Sequence, residues 1–191
     1  MRLFVGIEIS LAVVTATIEL IAQLRAASAT LAPRTRITWV TAERLHVTVR
    51  FIGHVDEAKA DAIRAVLEPP LALHSFDLTV SGVGAFPPKG SPRVVWAGLT
   101  AGRDQLLTVE RSVSERLAHA GVPREERPYR PHLTLARVRE AAGLRSAPLV
   151  DALRDVSLGT TSVDAITLFE SRLSPTGPTY VPLARTPLVR S

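Results

Sequence analysis

Residues 46–53 read HVTVRFIG. His46, Thr48 and Arg50 alternate with Val47, Val49 and Phe51, the two-residue period of a strand that sends successive side chains to opposite faces. A core accounts for the apolar set. The polar set places a histidine and a threonine side by side on the other face, roughly 7 Å apart. The pattern returns in HLTLARV, which begins at His132: His132 and Thr134 alternate with Leu133 and Leu135.

The chain around these stretches alternates strands and helices. RLFVGIEI (2–9) reads as a strand, and Ser10 caps a helix over about 11–27. Pro33 marks a loop, followed by strands over 36–40 and 44–53. Asp56 caps a helix that runs to Leu67 and stops at Glu68-Pro69-Pro70. Strands follow at 75–86, with Gly82 and Gly84 as bulge positions, and at 93–99. The second half repeats the theme: a helix over 104–120 ended by Gly121, a strand over 132–138, a shorter helix over 147–155, a strand over 162–173, a turn at 174–178, and an edge strand over 179–188 marked by prolines. The two His-x-Thr strands lie nearly half the chain apart, as a weak internal duplication would place them. This pattern predicts an α+β fold: one bilobal domain over 1–191, with two pseudo-symmetric lobes of antiparallel sheet and outer helices around a central cleft.

With 191 residues, 46% hydrophobic and 21% charged, the composition is that of a globular domain. MRLFVGIEISLAVV has the early arginine of a signal peptide, but Glu8 and Ser10 interrupt it, and it reads as a buried strand entering a helix. No membrane span is expected. The absence of cysteine excludes disulfides, thiolate metal sites and cysteine nucleophiles, and suits the cytoplasm. The net charge of +5 attracts phosphates and makes nucleic acid a fitting partner, although the basic residues are scattered arginines with only Lys59 and Lys89 besides.

Two facing His-x-Thr strands have a definite chemistry. Histidine gives or takes a proton near neutral pH, so His46 and His132 together can act as acid and base in one displacement. Thr48 and Thr134 can donate to the non-bridging oxygens of a phosphate. Arg130 shares the parity of His132 and Thr134 and would add a guanidinium to the same oxyanion. One His-x-Thr means little; two, in the same apolar frame, make a candidate site. His54, His74 and His119 lack such partners and read as surface residues. A zinc site would need a third ligand, and no H-E-x-x-H is present. Neither a phosphate-binding loop ending in Lys-Ser or Lys-Thr nor a G-x-S-x-G turn occurs. Trp39 and Trp96 read as core or cleft wall, with Trp96 also suited to stacking a base.

The paired motifs resemble those of the two-histidine phosphoesterases. Within them the chain is similar to the RNA 2′,3′-cyclic phosphodiesterases, also called 2′-5′ RNA ligases. The segments MRLFVGIEI, HVTVRFIGHV, GVGAFPPKGSPRVVWAGL, RPYRPHLTLARV and LFESRLSPTGPTYVPLARTPL carry the likeness, in family order, over nearly the whole chain. The resemblance implies a bilobal α+β fold without metal or cofactor. It implies opening of a terminal 2′,3′-cyclic phosphate of RNA to a 2′-phosphate, with reversible 2′-5′ joining of tRNA halves in some members. It assigns His46 as proton donor, His132 as proton acceptor, Thr48 and Thr134 as phosphate ligands, and Arg137 as the arginine near the phosphate. Alternation places Arg137 opposite His132, so that role needs a bulge, and Arg130 stays beside it as a candidate. The expected partner is an RNA end bearing a cyclic phosphate, bound by a monomer. Two alternatives stay open: action on a small cyclic or 2′-5′-linked nucleotide, and a non-catalytic RNA-end binder.

Overall fold

The computed structural model describes residues 1–175 and 177–189. Its strands are β1 (Arg2–Glu8), β2 (Arg36–Trp39), β3 (His46–His54), β4 (Leu71–His74), β5 (Phe76–Phe86), β6 (Val94–Ala101), β7 (Leu133–Glu140), β8 (Ser157–Val163), β9 (Ala165–Arg172) and β10 (Thr179–Val189). Its α-helices are α1 (Leu11–Leu31), α2 (Glu57–Leu67), α3 (Arg103–His119) and α4 (Ser146–Val150). The strands form one sheet in the order β4-β10-β9-β1-β3-β7-β6-β5-β8, with β2 also paired to β7. All pairings are antiparallel except β10 with β4. The fold is α+β, as expected.

Local chemistry explains the elements. Leu3, Phe4, Val5 and Ile7 of β1 are all buried, so this strand is covered on both faces and shows a near-continuous apolar run. The Ser10 hydroxyl accepts from the Val13 amide and starts α1. That helix outruns the expected end at 27 and stops at Ala32, before Pro33. Its length and composition would suffice to cross a membrane, but Val13, Leu20, Ile21 and Leu24 are buried and the helix packs on β8 and α4. The Asp56 carboxylate accepts from the Lys59 amide at 2.8 Å and starts α2. Gly121, at φ +67, follows the end of α3, where a side chain would be strained. Gly82 lies at a register shift of β5, as expected of a bulge; Gly84 instead leaves room for the Trp96 ring, which an added Cβ would meet at 2.2 Å.

Three expectations are corrected. β4 has no counterpart among the expected strands; it pairs with the end of β10, so β10 is an edge strand only over its earlier part. The single strand expected over 162–173 is two, β8 and β9, with Asp164 between them. They belong to opposite halves of the sheet, for β8 pairs with β5 while β9 pairs with β1 and β10. The helix expected over 147–155 is one short α-helix followed by a 3₁₀ turn at Asp151–Leu153. The turn at 174–178 includes Thr176, which lies outside the described residues.

Each half of the sheet draws on both halves of the chain. The half that carries β3 also holds β1, β4, β9 and β10, covered by α2 and α3. The half that carries β7 holds β2, β5, β6 and β8, covered by α1 and α4. The two meet where β3 lies beside β7, and that seam positions the site.

Candidate active site

One antiparallel register pair joins β3 to β7: Val47 opposite Leu133. Both side chains are fully buried. Because neighbours alternate faces, His46 and Thr48 on one strand and His132 and Thr134 on the other share the opposite, half-exposed face. The register sets His46 level with Thr134 and Thr48 level with His132, on strands roughly 5 Å apart. The four residues singled out from sequence are therefore brought together.

The imidazoles are held alike. His46 Nδ1 donates to the Arg44 carbonyl at 2.8 Å, and His132 Nδ1 donates to the Arg130 carbonyl at 2.7 Å. A carbonyl only accepts, so Nδ1 carries the proton in each neutral ring and Nε2 is left as the reacting nitrogen. His46 Nε2 accepts from the Thr48 hydroxyl at 2.9 Å. Each ring stands among aromatics: Phe4 (4.8 Å between centroids) and Tyr180 (5.0 Å) around His46, Phe86 (5.5 Å) and Trp96 (6.5 Å) around His132. Gly6 of β1 gives the His46 ring its place, since a Cβ there would meet His46 Cδ2 at 3.3 Å.

Burial lowers the pKa of both histidines, against the raising effect of the carbonyl bonds. The Arg137 guanidinium lowers both further, and His132 also lowers His46. Arg137 thus bears on both rings, although simple alternation would turn it away. A β-bulge reverses its parity: Thr134 lies opposite Trp96 but Ala136 opposite Val95, leaving Leu135 unmatched on β6. Leu135 and Ala136 are both buried and Arg137 emerges on the histidine face. Arg130 supplies its carbonyl to His132, and the cation acting on that ring is Arg137. The parity argument against Arg137 does not survive this bulge.

The same distortion occurs on β3. Thr48 lies opposite Gly6 but Arg50 opposite Val5, leaving Val49 unmatched. Arg50 therefore leaves the histidine face, where simple alternation places it, and is buried at 6% exposure. Phe51 takes its place beside Phe4 (6.2 Å), 57% exposed. The position that holds Arg137 after the second motif holds Phe51 after the first. Sequence reasoning missed Phe51 because of the bulge, and missed Phe4, Phe86 and Tyr180 because they come from strands without a motif. Glu8, Glu43, Leu45, Phe169 and Tyr180 help to wall a pocket beside His46. His54, His74 and His119 are exposed at element ends, as expected.

Comparison with known proteins gives the family. Residues 13–174 match the family described as the 2′-5′ RNA ligase superfamily. The chain belongs to that superfamily. An RNA 2′,3′-cyclic phosphodiesterase of Archaeoglobus fulgidus is 33% identical over 180 residues, 94% of this chain and 96% of the relative. One of Aeropyrum pernix is 36% identical over 139 residues, 72% of this chain and 78% of the relative. Among solved structures, E. coli LigT complexed with 3′-AMP superposes with a TM-score of 0.71 at 26% identity, covering 98% of this chain and 97% of that one. TT0787 of Thermus thermophilus gives 0.72 at 26% identity with the same coverage.

Proposed function

We propose that this member of the superfamily is an RNA 2′,3′-cyclic phosphodiesterase that opens the terminal cyclic phosphate to a 2′-phosphomonoester. The observation that carries the reading is the β3–β7 seam, which sets two imidazoles and two threonine hydroxyls on one face under one guanidinium. The names of the relatives point the same way.

Hydrolysis here needs one proton removed and one supplied. His132 Nε2 takes a proton from water as the water oxygen attacks phosphorus. The bond from phosphorus to the 3′ oxygen breaks, and His46, entering as imidazolium, gives its Nε2 proton to that oxygen. The 2′ oxygen keeps the phosphate. Proton exchange with solvent restores both rings. Thr48, Thr134 and Arg137 face the non-bridging oxygens, where charge builds in the transition state. Arg130, exposed beside His132, is the second candidate cation. If a 5′-hydroxyl replaces water as nucleophile, the same groups form a 2′-5′ linkage, and the reverse step breaks it. With two imidazoles as acid and base, the proposed step is written without a metal ion. The reading includes a monomer acting on RNA ends, tRNA halves among them, in the cytoplasm and without a cofactor.

Product analysis by phosphorus NMR tests it. An oligonucleotide ending in a 2′,3′-cyclic phosphate is expected to yield only the 2′-phosphate. A 3′-phosphate product, or no turnover, refutes the reading; turnover of a cyclic mononucleotide alone moves the substrate to small nucleotides.

A further inference from the structure

We propose that Arg50 and Tyr129 are positioning residues that fix the separation of the two imidazoles. The inference rests on the reading of His46 and His132 as the acid–base pair. The strands that carry them share one register pair, Val47 with Leu133. With so short a strand contact, side-chain bonds around it bear on how the motifs align, and the proton transfers need both rings placed against one phosphate.

Two further ties join β3 to the segment that leads to His132. The Tyr129 hydroxyl, just ahead of His132, donates to the Thr48 carbonyl at 2.7 Å. The main chain of the first motif is thereby pinned to the lead-in of the second. Burial raises the Tyr129 pKa, with the Glu110 carboxylate adding to the rise, so the phenol keeps the proton that it donates. Arg50, turned inward by the β3 bulge, donates through Nη2 to the Pro123 carbonyl at 2.5 Å, and its Nη1 lies 3.8 Å from Glu125 Oε2. Both partners belong to the segment between α3 and β7 that leads to His132.

Arg50 is a costly way to fill the inner face of β3. Its Nε is buried without a hydrogen-bond partner, and a buried guanidinium is commonly less stabilising than a well-packed apolar side chain of similar volume. Its placement is accounted for by what it holds. The bulge therefore has two consequences: it brings Phe51 to the site face and turns Arg50 into a clamp on the segment that leads to the other histidine.

The test compares wild type, Tyr129→Phe, Arg50→Lys and Arg50→Met on a nucleoside 2′,3′-cyclic monophosphate. It reads kcat, KM, the pH profile of kcat and Tm, and follows both imidazoles by NMR titration without ligand. Tyr129→Phe removes one oxygen atom and leaves the packing of the ring. Its kcat is expected to fall between about 10-fold and about 10²-fold, the size of a misplacement on the order of 1 Å, with KM within about twofold of wild type. The limb of the kcat profile that His46 controls moves to higher pH, because a more distant His132 lowers His46 less. Arg50→Lys regains part of the kcat that Arg50→Met loses. Wild-type kcat and an unmoved His46 limb in Tyr129→Phe overturn the proposal for Tyr129, and Arg50→Lys no better than Arg50→Met overturns it for Arg50, each judged at equal folded fraction from Tm. If wild type itself does not turn over the cyclic phosphate, the functional reading fails instead. The imidazole titrations then decide the inference: a His46 pKa raised in Tyr129→Phe supports it, and an unchanged one overturns it.

Discussion

Val47 of β3 lies opposite Leu133 of β7, and this pairing makes neighbours of two motifs nearly half a chain apart. One residue to either side of that pair stand His46, Thr48, His132 and Thr134, on one face.

His46→Ala and His132→Ala are each expected to lower kcat by about 10²–10⁴-fold with the fold intact, because each ring carries one proton transfer. A substrate with a better 3′ leaving group should rescue the His46 variant and not the His132 variant. The opposite rescue would exchange donor and acceptor.

The threonines should act on the transition state. Thr48→Val and Thr134→Val each remove a hydroxyl donor of the oxyanion-binding kind, worth roughly 2.7–4 kcal/mol when fully engaged. Steady-state kinetics should show the loss in kcat/KM, with thermal unfolding little changed. Unaltered kcat/KM in both variants would place the phosphate elsewhere.

The arginines are separable. Arg137 lowers the pKa of both histidines, whereas the contact of Arg130 with His132 is through its main chain. Arg137→Ala is therefore expected to weaken kcat/KM more than Arg130→Ala does, and to raise both imidazole pKa values in an NMR titration. A larger effect of Arg130→Ala on kcat/KM would restore the reading that strand parity alone suggests.

Both histidines titrate below the ordinary value of 6.5 in the free protein. The kcat/KM profile reports free-enzyme groups, so its bell should be centred below pH 6.5. Stability follows with a definite sign. Unfolding returns each ring to its ordinary pKa, so below pH 6.5 the unfolded chain binds more protons than the folded one. The histidine contribution is complete above that pH and is lost as the pH falls toward the lowered folded values. Urea unfolding across this range should show the midpoint falling with pH, and falling less in a His46→Gln, His132→Gln double variant.

Activity is expected to persist in excess EDTA. Loss on chelation, restored by a divalent ion, would end the metal-free mechanism.

The sequence by itself determined most of the elements and the two motifs that the seam brings together. Alternation in HVTVRFIG and HLTLARV gave strands with His46, Thr48, His132 and Thr134 on one face, because side-chain direction over a few extended residues is a local property. Caps at Ser10 and Asp56 and the stop at Gly121 were legible for the same reason. Past Thr48 and Thr134 local reading failed. A bulge is set by the partner strand, and nothing in V-R-F or L-A-R announces the residue that will lack a partner on β1 or β6. Tertiary pairing alone therefore decided that Arg137 and Phe51 reach the site while Arg50 turns inward. It likewise split 162–173 at Asp164, where V-D-A keeps the period of a strand but the chain crosses from one half of the sheet to the other. Phe4, Phe86 and Tyr180 joined the site through neighbouring strands, and strand order depends on contacts between residues far apart in the chain, which no short window of sequence contains.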